Sequence, residues 1–264
     1  MTTTTADSAS GHATTELLTG NQAVAIAAKL SRTQVVPAYP ITPQTVIVET
    51  IAAMIARGEM ESEFIAVESE HSAMAAAIGA SLGGVRTFTA TSSHGLLYMG
   101  ELVWWAGMTR IPVVLANVNR SLNPWNIWPD HQDSMTFRDA GWIQMYAKNN
   151  QEVLDLILMA FKISEHHKVW MPSMVCLDGF ILSHTTSQVL IPAQEAVDRF
   201  LPKFEPRVML DPEKPFSHGT MTDSAGIVAL RESLMEGMEN ARIIIPRVFR
   251  EYQQLFGRWD ERMI

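Results

Sequence analysis

The stretch VRTFTATSSHGLLYMGELVWWAGMTRIPVVLANVN, residues 85–119, contains the elements that decide the fold. Its first part, VRTFTATS, has the β-branched and aromatic composition of a strand, and GLLYMGELVWWAGM is predicted to form a helix. IPVVLANVN is a strand that is apolar without alternation, as expected where helices cover both faces of a sheet. A strand, a helix and a second, buried strand in this order are typical of a parallel α/β sheet.

The same alternation of strands and helices extends outward over residues 20–179. Before the quoted stretch, the first predicted elements are the Ala-rich helix GNQAVAIAAKLSR, with Asn21 as a possible cap, and the strand TQVVPAYP. The helix TPQTVIVETIAAMIARG follows, with Thr42 and Pro43 at its start. The strand EFIAVE and a small-residue helix from about Glu70 to Leu82 complete this part. After it, NQEVLDLILMAFKISEHH predicts a helix and PSMVCLDG a strand. The predicted fold class is α/β, with a mostly parallel sheet and helices on both faces.

The composition changes towards the C-terminus and divides the chain into four predicted parts. Residues 1–19 are expected to be a disordered leader, because MTTTTADSASGHATT is polar and lacks the basic start and apolar stretch of a secretory signal. Residues 20–190 form the α/β domain. Residues 191–222, rich in proline and without a clear period, are expected to be an extended arm. Residues 223–264 are predicted to form a C-terminal helical linker, interrupted at its proline.

Charge and cysteine content limit the class of partner and the compartment. The formal net charge is -8 at pH 7, which argues against nucleic acid or an anionic membrane surface as the main partner. No apolar segment has the length needed to cross a bilayer, and a reducing, cytoplasmic location is the default expectation. The one cysteine, Cys176, excludes an internal disulfide and an iron–sulfur cluster ligated by this chain alone. Its apolar surroundings predict a small buried side chain.

Four loops that follow predicted strands carry the candidate chemistry, because ligands of parallel sheets bind at the carboxyl ends of strands. The loops are AYPITPQT (residues 38–45), VESEHS (67–72), TSSHG (91–95) and NVNRSLNPWNIWPDHQD (117–133). Together they place an acid, hydroxyls, an arginine and histidines on one rim of the predicted sheet. They contain no phosphate-binding glycine motif and no nucleophile–base pair.

The main candidate residues also have structural interpretations, which the pattern alone leaves open. Thr42 fits a helix start, and Glu70 fits a helix N-terminal acid favoured by the helix dipole. His71 and His94 fit hydrogen-bonded loop histidines, and Arg120 fits a structural arginine. Spacing alone therefore supports an α/β protein with a site at one rim and predicts no metal site.

These loops, in this order, resemble the α subunit of the 2-oxoacid:ferredoxin (or other acceptor) oxidoreductases, the family of pyruvate:ferredoxin oxidoreductase and phenylglyoxylate dehydrogenase. The similar stretches are AYPITPQT, VESEHSAM, GVRTFTATSSHGL, DHQDSM, RDAGWIQMYAKNNQEVLDL, CLDGFILSHT and the arm segment IPAQEAVDRFLP. They extend from about residue 20 to at least residue 219. The resemblance implies that residues 20–190 have the fold of a thiamine diphosphate pyrimidine-binding domain.

The resemblance implies a cofactor, thiamine diphosphate, that is shared with a partner subunit. Glu70 matches the family's glutamate, which contacts a pyrimidine ring nitrogen and promotes activation of the cofactor. Pro40, Ile41, Thr91 and Ser92 are the further cofactor-binding residues that it implies. Because this chain lacks a diphosphate motif and cluster cysteines, Mg²⁺ and [4Fe-4S] clusters are expected on partner subunits, namely a β subunit and further γ- and δ-type subunits.

The resemblance also assigns the reaction and the substrate end of the site. Thr42 and Arg120 match positions that hold the carboxylate of a 2-oxoacid, so Glu70, Thr42 and Arg120 are the expected catalytic residues. The expected substrate pocket consists of Thr42, Arg120, Asn123 and Trp125. The implied reaction is oxidative decarboxylation of a 2-oxoacid to an acyl-CoA and CO2, with electrons passed to the iron–sulfur clusters.

The choice of substrate depends on the loop SLNPWNIW, where many members of the family have a sequence similar to SAPINIW. The indole of Trp125 favours an aryl 2-oxoacid such as phenylglyoxylate, with pyruvate or a branched-chain 2-oxoacid as the alternative. A non-catalytic scaffold subunit is a second alternative, and the stretch AGWIQMYAKNNQE disfavours other thiamine enzymes. The sequence leaves open the terminal electron acceptor, ferredoxin or NAD, and the subunit stoichiometry. It also leaves open whether the α/β domain that usually follows is on another chain or absent.

Overall fold

The computed structural model describes residues 13–219 and 221–259. The strands are β1 (Thr14–Leu18), β2 (Val35–Ala38), β3 (Glu63–Ala66), β4 (Phe88–Thr91), β5 (Val114–Asn119), β6 (Ile143–Tyr146), β7 (Ser173–Asp178) and β8 (Ser187–Ile191). The helices are α1 (Gly20–Leu30), α2 (Thr45–Ala56), α3 (Glu70–Leu82), α4 (Ser93–Tyr98), α5 (Gly100–Met108), α6 (Gln132–Met135), α7 (Asn150–Ser164), α8 (Gln194–Phe200) and α9 (Ser224–Phe256). Within the two described ranges, no helix combines the length and the apolar character that crossing a membrane requires.

The central sheet is parallel and joins strands that are not consecutive in the chain. Four strands pair in the order β4-β5-β7-β6, and each pairing is parallel. A second parallel pair, β2 with β3, is joined to the β4 edge through a parallel bridge between Val35 and Thr87. The carboxyl ends of these strands therefore lie along one side, where the loops that follow them meet. The predicted α/β fold with a mostly parallel sheet is confirmed.

Two apolar clusters cover the two faces of the sheet, which explains why β5 shows no alternation. Val114, Ala116 and Val118 of β5 belong to a cluster with residues of α1, α2, α7 and α9. Leu115 belongs to the other cluster, with residues of α3 and α5 and with Cys176 of β7. Cys176 is buried, as predicted, and burial raises the pKa of its thiol to about 12.

The amino-terminal segment differs from the disordered leader predicted at residues 1–19. Residues 1–12 lie outside the described residues, whereas β1 pairs antiparallel with β8. The prediction of disorder is therefore wrong for β1. Four of the five residues of β1 are exposed, so this two-stranded ribbon has no hydrophobic period that reveals it in the sequence.

Two predicted helix starts are wrong. A capping box formed by Thr19 and Gln22 begins α1, and the Thr19 hydroxyl accepts a hydrogen bond from the Gln22 N–H. Asn21, the predicted cap, instead donates from Nδ2 to the Pro43 carbonyl at 2.7 Å. The predicted start at Thr42 precedes the observed start of α2, and the Thr42–Pro43 peptide bond is cis. The segment before α2 is therefore a loop that the Asn21 amide fixes to α1.

Other boundaries differ because tertiary packing outweighs the local pattern. The helix predicted over GLLYMGELVWWAGM is divided into α4 and α5 at Met99. The arm predicted as extended over residues 191–222 contains α8, and β6 is absent from the prediction. Within the predicted linker, α9 continues through Pro246, which was expected to interrupt it. Ile244 and Val248, on either side of this proline, are both buried in the core, so packing supports the helix across it.

Candidate active site

Buried polar atoms without partners mark the carboxyl ends of β4 and β5. Within the described residues, the hydroxyl oxygens of Thr91 and Ser92, the side-chain amide of Asn117 and Oδ1 of Asn119 have no hydrogen-bond partner. All four residues are fully buried. An unpaired buried polar group costs about 1–3 kcal/mol. A cluster of such groups therefore indicates a place where a ligand completes the hydrogen bonding.

Glu70 is the first residue of α3 and is nearly buried, with 8% of its surface exposed. The hydroxyl of Ser69 caps the helix by accepting a hydrogen bond from the Ser72 N–H, so the cap does not use the Glu70 carboxylate. In the part of the chain that the structure describes, this carboxylate makes no hydrogen bond and no ion pair. The helix dipole favours an acid at this position, but it does not require the acid to be buried without a partner.

Gly95 shows how closely Glu70 approaches the loop that follows β4. A Cβ atom at Gly95 would lie 2.7 Å from Glu70 Oε1 and 2.6 Å from Thr91 Oγ1. Side-chain carbons do not approach oxygen atoms this closely, so only glycine leaves room for the carboxylate and the hydroxyl. The structure thus brings together two of the predicted site residues, Glu70 and Thr91.

The loop that contains Pro40, Ile41 and Thr42 is fixed to the end of β4 by Gln44. This buried side chain donates from Nε2 to the Ala90 carbonyl at 2.8 Å and accepts at Oε1 from the Ile41 N–H at 3.2 Å. Pro40 and Thr42 are exposed, and Ile41 is half-buried. The predicted loop therefore lies at the rim of the site, and two of its three candidate side chains are open to solvent.

Arg120 follows β5 directly and reaches across this rim. Its Nη1 donates to the Thr42 carbonyl at 2.5 Å, and its Nη2 lies 3.5 Å from Nδ1 of His94. The pKa of Arg120 is lowered, chiefly by burial, while the carboxylates of Asp133 and Glu70 act to raise it. Because arginine is not deprotonated in proteins, the guanidinium remains a fixed positive charge at the rim.

A cavity of about 560 Å³ opens beside this charge. The residues that line it are His94, Arg120, Trp125, Asn126 and Ile127. Trp125 is 83% exposed, and its ring meets the His94 ring edge-on at a centroid distance of 5.5 Å. Of the predicted substrate pocket, the structure therefore places Arg120 and Trp125 at one cavity, with Thr42 bound to Arg120 through its carbonyl.

The other residues that line the cavity differ from the predicted pocket, which stays a prediction. Asn123 is exposed and is not among the residues that line the cavity, and its backbone N–H donates to Gln132 Oε1 at 3.4 Å. Asn126 and Ile127, further along the same loop, line it instead. The sequence alone was compatible with a hydrogen-bonded loop histidine at His94. In the structure, His94 contacts Arg120 and lines the cavity. The sequence identified the loop but contained no signal for which of its side chains turn inward.

Asp133 is one of the residues at this rim that sequence reasoning missed, and the unpaired Asn117 is another. Asp133 is fully buried, and its Oδ2 accepts from the N–H groups of Ser93 at 3.0 Å and Arg120 at 3.2 Å. Its Oδ1 accepts from Asn119 Nδ2 at 2.8 Å and from the Ser134 N–H at 2.7 Å. It therefore connects the loops that follow β4 and β5. An aspartate in a polar loop usually suggests a solvated side chain, and only its place in the similar stretch DHQDSM pointed to it.

Two other polar residues of the loop VESEHS, Glu68 and His71, do not line this cavity. Glu68 is exposed and accepts a hydrogen bond from the Ser72 hydroxyl, and His71 lies 3.6 Å from Glu101. Over residues 13–219 and 221–259, no group of three or more histidine, cysteine, aspartate or glutamate side chains is placed to hold a metal ion.

Sequence comparison identifies relatives across most of the chain. A family model described as pyruvate flavodoxin/ferredoxin oxidoreductase, thiamine diphosphate-binding, matches residues 26–250. The PorA subunit of pyruvate synthase from Methanothermobacter thermautotrophicus is 53% identical over 92% of this chain and 64% of its own length. PorA of Pyrococcus abyssi is 50% identical over 92% of this chain and 62% of its own length. The VorA subunit of ketoisovalerate oxidoreductase from Pyrococcus horikoshii is 48% identical over 94% and 63%, respectively.

A solved structure supports the fold. A chain of the 2-oxoglutarate:ferredoxin oxidoreductase from Magnetococcus marinus, with 2-oxoglutarate, coenzyme A and succinyl-CoA bound, has a TM-score of 0.69 over 85% of this chain and 44% of its own length. At 18% sequence identity, this similarity shows the fold alone.

The family match includes the loops that form the site, from AYPITPQT to DHQDSM. The chain spans less than two thirds of the length of the curated relatives it matches. Within that span the relatives are about half identical to it, and the match extends over more than nine tenths of the chain. The chain therefore belongs to the pyruvate flavodoxin/ferredoxin oxidoreductase family, to its thiamine diphosphate-binding part.

Proposed function

We propose that this chain is the pyrimidine-binding subunit of a thiamine diphosphate-dependent 2-oxoacid oxidoreductase. The complex converts a 2-oxoacid to an acyl-CoA and CO2 and passes electrons to iron–sulfur clusters on partner subunits. One observation carries the proposal: the nearly buried, unpaired carboxylate of Glu70 lies beside the unpaired hydroxyl of Thr91, on the same rim as Arg120. Relatives named as subunits of pyruvate synthase and ketoisovalerate oxidoreductase support this reaction class.

The residues of the site fit the aminopyrimidine half of thiamine diphosphate. Glu70 offers a carboxylate, and Thr91, Ser92 and Asn117 offer unpaired donors and acceptors for the polar edge of such a ring. Glu70 would hold a proton that it shares with a ring nitrogen, and its burial strengthens that interaction. When bound, thiamine diphosphate supplies the carbon nucleophile and the electron sink that decarboxylation needs.

Arg120 is proposed to bind the carboxylate of the substrate. Its Nη1 already donates to the Thr42 carbonyl, whereas Nη2 has only the long contact with His94. Nε has no hydrogen-bond partner in the described ranges, so the edge formed by Nε and Nη2 can donate two parallel hydrogen bonds to a carboxylate. Because decarboxylation removes that anion, this contact serves to bind and orient the substrate.

The site is open to solvent on the side of the cavity, which supports a partner that completes it. Trp125 and Ile127 line the cavity and are exposed, and exposed apolar patches are typical of interaction surfaces. The single cysteine of this chain cannot hold a [4Fe-4S] cluster. We therefore propose a β subunit that carries the diphosphate, Mg²⁺ and cluster motifs, with further γ- and δ-type subunits and coenzyme A as the acyl acceptor.

The expected preference for an aryl 2-oxoacid finds no support. The relatives that are about half identical are named for pyruvate and ketoisovalerate, which are aliphatic 2-oxoacids. In the structure, Trp125 is largely exposed, and Ile127 contributes an aliphatic side chain to the cavity. We propose pyruvate or a small branched-chain 2-oxoacid as the substrate.

A non-catalytic scaffold subunit is the second candidate. A scaffold gains nothing from a nearly buried carboxylate without a partner, because such a group lowers stability. Glu70 and Arg120 at one rim therefore favour the catalytic role over the scaffold.

Turnover by the assembled complex tests the proposal. We expect reduction of a low-potential viologen dye that depends on the 2-oxoacid, on coenzyme A and on thiamine diphosphate. Glu70→Gln should lower kcat about 10²–10⁴-fold. Glu68→Gln is the matched control, because Glu68 is an exposed acid in the same loop, and this variant should keep the kcat of the wild type. Equal activity of the two variants would contradict the proposal.

A further inference from the structure

We propose that Asp133 is a positioning residue for Arg120. It holds the main chain of Arg120 and of Ser93 so that the guanidinium faces the cavity and stays available for a substrate carboxylate. This inference rests on the function proposed for the same site.

The hydrogen-bonding capacity of Asp133 is fully used by groups other than the guanidinium. Its two oxygens accept four hydrogen bonds, all from N–H groups, and a carboxylate has about four acceptor positions. Of these four donors, Arg120 contributes only its backbone N–H. The buried negative charge therefore lies near the Arg120 guanidinium without being bonded to it.

Other aspartates of this chain bind arginine differently. Asp198 receives Nε and Nη2 of Arg32 at 2.6 and 2.7 Å, and the buried Asp155 receives Nε and Nη2 of Arg258 at 2.9 and 2.8 Å. A pair of that kind at Arg120 would occupy the donor edge that a substrate carboxylate needs. Because Asp133 binds the backbone instead, it anchors the arginine without competing with the substrate.

Asp133 also supports a strained turn in the loop after β4. Ser93 has a φ of 49°, in the left-handed region that residues other than glycine rarely adopt. Its N–H donates to Asp133 and its hydroxyl donates to the Ser121 carbonyl at 3.0 Å, so the segment that follows β5 holds it at two points. His94 follows directly and contacts Arg120, so the two loops are positioned together.

A substitution that keeps the size of the side chain separates positioning from simple stability. In Asp133→Asn an amide NH2 replaces one carboxylate oxygen. Because this group cannot accept a hydrogen bond from the two N–H donors that it faces, two of the four hydrogen bonds are lost. Asp155→Asn is the matched control, because Asp155 is also buried and multiply bonded but lies on α7, where it binds Tyr252 of α9 and Arg258. In the assembled complex, we expect Asp133→Asn to raise the KM for the 2-oxoacid about 10- to 100-fold with a smaller change in kcat. Asp155→Asn should lower the Tm and leave KM unchanged.

A double-mutant cycle shows whether Asp133 acts through Arg120. If it does, Asp133→Asn combined with Arg120→Lys should have nearly the KM of Arg120→Lys alone, because the contact to be positioned is already impaired. If the KM of the double variant instead rises by the product of the two single increases, the inference is overturned.

The remaining outcomes are also decisive. An unchanged KM in Asp133→Asn, together with a raised KM in Arg120→Lys, would overturn the inference and leave the proposed function intact. Absence of 2-oxoacid turnover in the wild-type complex would overturn both. Asp133→Glu, which keeps the charge but displaces it by one methylene, is the second variant and should also raise KM. Failure of both Asp133 variants to assemble, while Asp155→Asn assembles, would assign Asp133 a structural role and overturn positioning.

Discussion

Replacing Arg120 by lysine tests the proposed substrate contact without changing the charge. In the structure, the guanidinium can serve two partners at once. Its Nη1 donates to the Thr42 carbonyl at 2.5 Å, and the edge formed by Nε and Nη2 remains for a carboxylate. Lysine has one terminal nitrogen, so it cannot keep the Thr42 contact and also donate two parallel hydrogen bonds to the substrate.

The expected loss is at least one charge-assisted hydrogen bond, which is worth about 1.5–3 kcal/mol. This free energy corresponds to roughly a 10- to 150-fold increase in KM for the 2-oxoacid. The effect on kcat should be smaller, because the contact binds the substrate in the ground state and in the transition state alike. Initial rates of dye reduction by the assembled complex at varied 2-oxoacid concentration measure KM. Quenching of tryptophan fluorescence by thiamine diphosphate measures the affinity for the cofactor, which should change little.

Arg138→Lys is the matched control for this experiment. Arg138 is exposed, lies 3.7 Å from the carboxylate of Asp139 and does not line the cavity. Its replacement should leave both KM and cofactor affinity unchanged. Equal KM values for Arg120→Lys and Arg138→Lys would refute the assignment and make Arg120 a structural arginine.

Three further predictions concern the packing around the site and the stability of the core. Gly95→Ala should nearly abolish turnover, because its Cβ would lie 2.6 and 2.7 Å from two site oxygens. Gly79→Ala is the control, because its Cβ meets no atom within 4 Å, and it should keep activity and add up to about 1 kcal/mol of helix stability. Equal turnover rates for the two variants would contradict the close approach of Gly95 to Glu70 and Thr91. Asp155→Ala should lower the free energy of unfolding by about 3–5 kcal/mol, because it removes the carboxylate that pairs with the Arg258 guanidinium. A loss of less than about 1 kcal/mol in chemical denaturation would contradict this. Burial raises the pKa of Cys176 from 9.0 to about 12, so the unfolded chain releases this proton at lower pH than the folded chain. The free energy of unfolding should therefore fall as pH rises from about 9 to 12. Cys176→Ala should make this fall shallower by up to about 1.4 kcal/mol per pH unit. Parallel curves of unfolding free energy against pH for the wild type and the variant would disprove the burial effect.

The elements buried on two faces were predictable from the sequence. β5 has no polar residue that faces solvent, so its apolar run could be assigned to the centre of a parallel sheet. The predicted small-residue helix matches α3. The Ser69 hydroxyl caps its start, and Gly84, with a φ of 85°, takes the left-handed conformation typical of a residue just after a helix end. In contrast, the ribbon of β1 and β8 is held by pairing between distant segments, and its mostly exposed strands leave no period to detect.

The candidate site was predictable only to the level of its loops. Spacing left Glu70 and Arg120 open to structural interpretations, and the family resemblance assigned their roles. The structure adds physical reasons, because Glu70 is nearly buried without a partner and Arg120 lies beside a cavity. Asp133 could not be assigned a role from the sequence, since its importance depends on N–H groups from other loops that meet only in the folded chain.

Exchange of the thiazolium C2 proton of bound thiamine diphosphate tests the central claim most directly, the claim that Glu70 activates the cofactor. The assembled complex is diluted into deuterated buffer, quenched with acid and analysed by proton NMR. We predict rapid exchange in the wild type and in Glu68→Gln, and exchange slower by about 10²–10⁴-fold in Glu70→Gln with the complex still assembled. Exchange at the wild-type rate in the Glu70→Gln complex would contradict the account.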